Sequence, residues 1–158
     1  MELISVTALA ENRVIGDDGG LPWDSLPADK RQYRETVAGN PVILGRRTFE
    51  SFGEERPGSR QIVLSRTERD ADLETVSFVP NRTHALEVAR EADSQTVYVL
   101  GGEAIYRLFQ PHVNRMRLSR IPGEYEGDAH YPDWNRADWV LVHEQPYPGF
   151  RLEEWERR

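Results

Sequence analysis

Thr96-Val97-Tyr98-Val99-Leu100-Gly101-Gly102-Glu103-Ala104-Ile105-Tyr106 carries the chain from an apolar, β-branched run, through two glycines, into residues whose apolar members recur at helical spacing. Thr96 to Leu100 reads as a strand, because a short apolar run closed by glycines suits a buried position in a sheet. Ile105, Leu108 and Phe109 then share one face of a helix. A strand that hands over directly to a helix is the repeating unit of a parallel sheet, in which the helix is the crossover. The same alternation extends outward in both directions. Strands are predicted at Leu3 to Leu9, Val42 to Leu44, Gln61 to Leu64, Thr75 to Val79, Arg115 to Ile121, Trp139 to His143 and Phe150 to Trp155. Helices are predicted at Ala28 to Val37, behind a proline suited to a first turn, and at Thr83 to Ala92, with Thr83 as cap.

Strand and helix alternate up to about Phe109, which implies right-handed parallel crossovers. The remainder is strands and Pro/Gly turns, which implies antiparallel additions at an edge. The expected fold is therefore α/β: a mixed, mostly parallel central sheet of about eight strands, with flanking helices and antiparallel C-terminal strands. A chain of 158 residues fits one domain, expected to span residues 1–158. Ala10 to Asp24 is a polar, Gly-rich loop long enough to suggest a task of its own.

Composition narrows the function. Cysteine is absent, which excludes disulfides, thiolate metal sites and cysteine nucleophiles and fits a reducing cytoplasm. Glu2 stands where a secretory signal needs positive charge, and no apolar run approaches the roughly 20 residues that span a bilayer. A cytoplasmic protein without membrane contact is expected, acting as a monomer. The net charge of −7 opposes nucleic-acid binding, which relies on basic surface. Lys30 is the single lysine among 20 basic residues, set against 27 acids. Such a surface suits high salt, where self-repulsion is screened; a GC-rich genome would favour arginine as well, and both readings stand. His84, His112, His130 and His143 lack ligand spacing, so no metal is expected. The serines lie in no nucleophile elbow, which speaks against a hydrolase. Glu153, Glu154 and Glu156 read as a solvated face.

Three strand ends carry groups suited to an anion. Gly45 is followed by Arg46, Arg47 and Thr48, cations that oppose the dipole of a helix starting there unless a phosphate reverses the sign. In water the two arginines would simply splay apart. Ser65 and Arg66 end the next strand, as a turn or as phosphate contacts. Gly101, Gly102 and Glu103 open the helix containing Tyr106, where exposed backbone N–H groups suit a phosphate. Ligands of open α/β sheets settle beyond the carboxyl ends of the strands, where all three fall, so a phosphorylated nucleotide is the economical explanation. Neither a G-x-G-x-x-G fingerprint nor a P-loop is present. Leu21-Pro22-Trp23-Asp24-Ser25-Leu26-Pro27-Ala28-Asp29 places a carboxylate in the first turn of a helix behind apolar residues. Asp29 there either stabilises the helix or is held among apolar neighbours to bind a polar ring.

The ordered set Asn12-Arg13-Val14-Ile15-Gly16, Leu21-Pro22-Trp23, Leu26-Pro27-Ala28-Asp29, Gly45-Arg46-Arg47-Thr48, Pro57-Gly58, Val99-Leu100-Gly101-Gly102 and Glu126-Gly127-Asp128 resembles dihydrofolate reductase over nearly the whole chain. The resemblance implies NADPH-dependent reduction of dihydrofolate to tetrahydrofolate for one-carbon metabolism. It assigns Asp29 to the pterin's amidine-like edge and to promotion of protonation at N5, with Ser119 supporting it and Trp23 nearby. Val6, Thr7 and Ala8 would form the pocket floor, Tyr33 and Phe52 its walls, and Leu100 the contact near the nicotinamide. Ala8, Ile15 and Gly16 would also meet the nicotinamide. Asn12 to Asp24, with Leu21 in place of a frequent methionine, would be the loop that closes on the reacting rings. Gly45, Arg46, Arg47, Thr48, Ser65, Arg66, Glu103, Ala104 and Tyr106 are similar to the NADPH-contacting positions, and Gly101-Gly102 to the family's cis peptide.

Two departures matter. Ser59 stands where the family places an arginine for the glutamate tail of folate, leaving Arg60, Arg56 or Arg34 to substitute or dihydrofolate to bind less tightly. Ala104 replaces an arginine that many bacterial members offer to the 2′-phosphate, leaving Arg47 and Arg66 for that role. The rival readings are a riboflavin-pathway pyrimidine reductase, to which Ser59 gives some room while Leu26-Pro27-Ala28-Asp29 favours folate, and a silent NADPH- or folate-binding module.

Overall fold

The computed structural model describes residues 1–67 and 74–158. In chain order its elements are β1 (Glu2–Ala10), β2 (Val14–Gly16), α1 (Pro27–Val37), β3 (Pro41–Gly45), α2 (Arg46–Ser51), β4 (Arg60–Leu64), β5 (Val76–Val79), α3 (Arg82–Glu91), β6 (Thr96–Val99), α4 (Glu103–Phe109), β7 (Arg115–Ile121), β8 (Ala129–His130), β9 (Trp139–Tyr147) and β10 (Phe150–Arg157). Eight strands form one sheet in the order β5-β4-β3-β6-β1-β7-β10-β9, and β2 pairs with β8 in a small second one. From β5 to β7 every pairing is parallel, whereas β10 runs antiparallel to both β7 and β9. The expected mixed sheet is present, with β7 still parallel after α4 and the antiparallel addition confined to β9 and β10.

Side chains alternate across the sheet, as a strand period of two requires. Leu3, Leu9, Ile43, Ile62, Val97 and Val99 face one layer, which α3 and α4 cover with Ala85, Ala89, Tyr106 and Phe109. Val6, Val42, Leu44, Val63 and Leu100 face the other, against Val37 and Tyr33 of α1, and Phe49 and Phe52. Burial on both faces explains why these strands read as continuous apolar runs. The edge strand β9 is different: His143, Glu144, Gln145 and Pro146 are exposed.

Three expectations are corrected. Asn81, not Thr83, caps α3, its side chain accepting from the His84 backbone N–H at 2.9 Å, so the cap stands two residues earlier and the helix begins at Arg82. Both residue types suit a cap, and only the backbone turn distinguishes them. Glu153 is not part of a solvated face: it is 3% exposed. It stands opposite Leu118 on the α3–α4 side of the sheet, where Arg120, Arg151 and the Trp155 indole donate to it. The short β2–β8 pair lies in segments read as loop.

The chain leaves β1 toward β3, β4 and β5, then returns to insert β6 between β3 and β1. Beyond the carboxyl ends of β1, β3 and β6 the connections diverge, and a crevice opens at this switch point.

Candidate active site

Helix α1 begins at Pro27, whose missing N–H costs nothing at a first turn, and Leu26 precedes it without a side-chain cap. The Leu26 carbonyl accepts from the Asp29 and Lys30 backbone N–H groups at 3.1 Å each, which fixes the turn carrying Asp29. The Asp29 carboxylate turns toward the end of β7. Its Oδ1 accepts from the Ser119 hydroxyl at 2.6 Å and from the Gln32 amide at 2.8 Å. Both protein donors meet the same oxygen, and among the described residues Oδ2 has no side-chain donor.

Asp29 lines a cleft of about 590 Å³ together with Val6, Thr7 and Ala8 of β1, Tyr33 and Lys30 of α1, Phe52, and Leu100. The Tyr33 and Phe52 rings lie parallel with centroids 6.4 Å apart. Burial, with Tyr106 and Asp29 close by, pushes the Tyr33 phenol well above its ordinary range. Burial likewise raises Tyr106, whose hydroxyl donates to the Val6 carbonyl at 2.6 Å. Both phenols therefore stay neutral. The other cleft carboxylates are engaged elsewhere: Glu55 pairs with Arg34 at 2.6 Å, Glu103 accepts from the His130 backbone N–H, and Asp128 from that of Asp18.

A second cleft of about 790 Å³ adjoins the first, sharing Gly19, Thr48, Gly102, Glu103, Asp128 and Ala129 with it. Gly45, Arg46, Arg47, Ser65, Arg66 and Ala104 also line it, with Leu64, Thr67 and Ile105. Three guanidinium groups, from Arg46, Arg47 and Arg66, and three hydroxyls, from Thr48, Ser65 and Thr67, form a donor set for phosphate on one concave surface. The Gly45 N–H bonds the Gly101 carbonyl at 2.8 Å, joining two strand ends, and the Gly101–Gly102 peptide is cis.

The loop after β1 crosses the rim of both clefts. Ile15, Gly16, Gly19, Gly20 and Leu21 line the first, and Leu21 is otherwise exposed. Asn12 donates to the Tyr125 carbonyl at 2.8 Å, Arg13 to that of Tyr131 at 2.6 Å, and β2 pairs with β8. A Cβ on Gly127 would lie 2.5 Å from the Gly16 carbonyl oxygen, so only glycine permits this approach of the two segments.

The sequence model of the family "Dihydrofolate reductase" matches residues 2–151. The chain belongs to the dihydrofolate reductase family. It is 41% identical to "Dihydrofolate reductase 1" of Haloarcula marismortui, across 99% of this chain and 91% of that protein. It is 37% identical to "Dihydrofolate reductase HdrB" of Haloferax volcanii, across 100% and 84%. Identity to the "Dihydrofolate reductase" of Bacillus subtilis is 31%, across 87% and 79%.

Most residues singled out from the dihydrofolate reductase resemblance gather around the two clefts. Five sit apart from the lining, among them Arg56, whose guanidinium lies 5.7 Å from the centroid of the Phe49 ring. Ser119 lies behind Asp29 and touches it directly. Gly101 stands behind Gly102, against Tyr106. Trp23 packs edge-on to Tyr125 at 5.6 Å, buried beside the cleft. Arg60 is directed away, donating to the Ser77 hydroxyl at 3.0 Å, whereas Arg34 lies at the cleft mouth. Sequence reasoning missed Lys30, Ser51, Glu55 and Gln32, and quoted Asp128 as part of a motif without giving it a place in the site. Of the four missed, Gln32 carried a signal, three residues after Asp29 on one helix face.

Proposed function

We infer that the chain reduces 7,8-dihydrofolate to 5,6,7,8-tetrahydrofolate with NADPH as reductant, a reaction of one-carbon metabolism. The observation that carries this reading is the Asp29 carboxylate at an apolar cleft, anchored through one oxygen with the other left for a ligand. The nitrogen-rich edge of a pterin offers paired N–H donors to such an acid, and Val6, Ala8, Tyr33, Phe52 and Leu100 offer it apolar surface. The adjoining cleft suits NADPH by its donor set: Arg46, Arg47 and Arg66 with Thr48 and Ser65 would hold the phosphates. Since Ala104 brings no charge, preference for the 2′-phosphate would rest on Arg47 and Arg66. Bound there, the cofactor supplies the hydride for pterin C6.

The remaining chemistry belongs to the protein. Asp29 orients the pterin and favours protonation of the neighbouring N5, while Ser119 holds the carboxylate in place. Ala8, Ile15 and Gly16 line the first cleft and would offer backbone groups to the nicotinamide. The loop through Leu21 and Trp23 limits water around the reacting atoms, and its opening would set product release. Lys30 and Arg34 at the mouth would meet the carboxylates of the glutamate tail in place of the missing arginine at Ser59.

The same reading treats residues 1–158 as one domain, working as a cytoplasmic monomer without nucleic-acid partners. Among the described residues no helix is long and apolar enough to cross a membrane. Its excess of acids suits screening by high salt. The deciding experiment is the loss of NADPH absorbance with dihydrofolate, with a dihydropterin lacking glutamate, and with a ribosylamino-pyrimidine. Turnover of dihydrofolate is expected. Turnover of the pyrimidine alone, or cofactor binding without any turnover, overturns the reading.

A further inference from the structure

Gln32 is 7% exposed, and every polar atom of its side chain is used. Its amide nitrogen donates to Asp29 Oδ1 at 2.8 Å and to the Ser119 hydroxyl oxygen at 3.2 Å. Its Oε1 accepts from Arg117 Nη2 at 3.2 Å and Nε at 3.4 Å. The Thr36 hydroxyl, also on α1, lies 3.5 Å from the same oxygen while donating to the Gln32 backbone carbonyl at 2.6 Å. Arg117 in turn is paired with Glu154 of β10. Glu154 and Arg117 are register partners, as are Leu152 and Ser119, so these residues stand on the sheet face that α1 covers.

A guanidinium has donors only, and an amide has one end of each kind. Arg117 can therefore meet only the oxygen of Gln32, which obliges the nitrogen to face Asp29 and Ser119. An inverted amide would set an N–H against a guanidinium and a carbonyl against a carboxylate, two repulsions in a buried site. Glu154 keeps Arg117 in register beneath the helix. With Gln32 and Ser119 both spent on Oδ1, the plane of the Asp29 carboxylate is fixed and Oδ2 is directed to the ligand.

We propose that Gln32 is a positioning residue for the Asp29 carboxylate, its amide polarity set by the Arg117–Glu154 ion pair, so that three elements, α1, β7 and β10, aim one oxygen at the substrate. This rests on Asp29 being the substrate-binding acid. Such a chain matters because small misplacements of a reacting group lower rates steeply.

The test is a set of variants of the full-length chain, assayed with NADPH and dihydrofolate, alongside cofactor affinity and thermal unfolding. Gln32→Met keeps length and removes both polarities; kcat is expected to fall about tenfold with the NADPH Kd unchanged. Arg117→Met releases the amide and should lower kcat severalfold, whereas Arg117→Lys retains a donor to Oε1 and should restore most of it. In an Asp29→Asn background, Gln32→Met should cause no further fall in kcat, since an amide that acts only through the carboxylate has nothing left to orient. Equal losses in both backgrounds would mean that Gln32 merely supports the helix, and would overturn the proposal. So would full turnover in a folded Gln32→Met variant, or equal losses for Arg117→Lys and Arg117→Met should Gln32→Met not fold. Turnover undiminished in Asp29→Asn alone would remove the reading of Asp29 itself, and with it this inference.

Discussion

A Cβ placed on Gly101 would lie 2.5 Å from Cε2 of Tyr106, nearer than packed atoms approach. Gly101 also has φ +97°, a region that side chains avoid, and its carbonyl accepts the Gly45 N–H. Tyr106 cannot step aside, because its hydroxyl is held by the Val6 carbonyl on the floor of the cleft.

Gly101→Ala should therefore disturb both clefts through the tyrosine. The expected cost is about 2–3 kcal/mol in urea unfolding, combining strained backbone with overpacking. NADPH affinity should fall in parallel. An alanine variant with unaltered midpoint and unaltered cofactor affinity would show that the Tyr106 ring is freer than its surroundings indicate.

At the mouth of the substrate cleft, Arg34 and Glu55 are both exposed and paired with each other. An incoming glutamate tail must compete with Glu55 for that guanidinium. Arg34→Met is expected to raise KM for dihydrofolate about threefold, the worth of an exposed ion pair, and Glu55→Gln to lower it. Neither should alter KM for a dihydropterin without the tail, which is the control that separates tail binding from damage to the pocket.

Glu153 predicts a response to acid. Burial opposes its ionised form, but donors from Arg151 and Trp155 and the charge of Arg120 outweigh it and hold the carboxyl below its usual range. A carboxylate depressed in the folded state stabilises it at neutral pH, and the benefit drains away as pH falls from about 4.3 through the lower folded value. Glu153→Gln should thus cost about 2 kcal/mol at pH 7 and progressively less in that acid window. A difference between the two proteins that stays constant from pH 7 to 3 would contradict this.

Salt supplies the fourth test. With a net charge of −7, molar KCl shortens the screening distance from about 10 Å to about 3 Å. We expect Tm to rise by roughly 2–5 °C between low and molar salt. A melting temperature indifferent to salt would leave the arginine excess to codon usage alone.

The legibility of this molecule tracks the range of the interactions involved. Strands such as Val42 to Leu44 announce themselves because burial on both faces leaves no room for polar residues. Asp29 and the arginines near Gly45 are legible because each stands at the end of an element. Glu153 misleads, because a run of acids is ordinarily solvated and its guanidinium partners come from β7 and from its own strand. Gln32 shows a spacing but not a reason, since Arg117 lies 85 residues away. The direction of Arg60, toward Ser77 rather than the cleft, is decided by strand pairing that no local pattern encodes.

The outermost strand, β9, carries Glu144 and His143 in the open, and Pro146, which has no N–H to offer a neighbouring chain. Unpaired strand margins invite association between molecules, and charge with proline discourages it. When concentrated electrolyte silences the mutual repulsion of such acidic molecules, that proline remains as a barrier to stacking that ions cannot weaken.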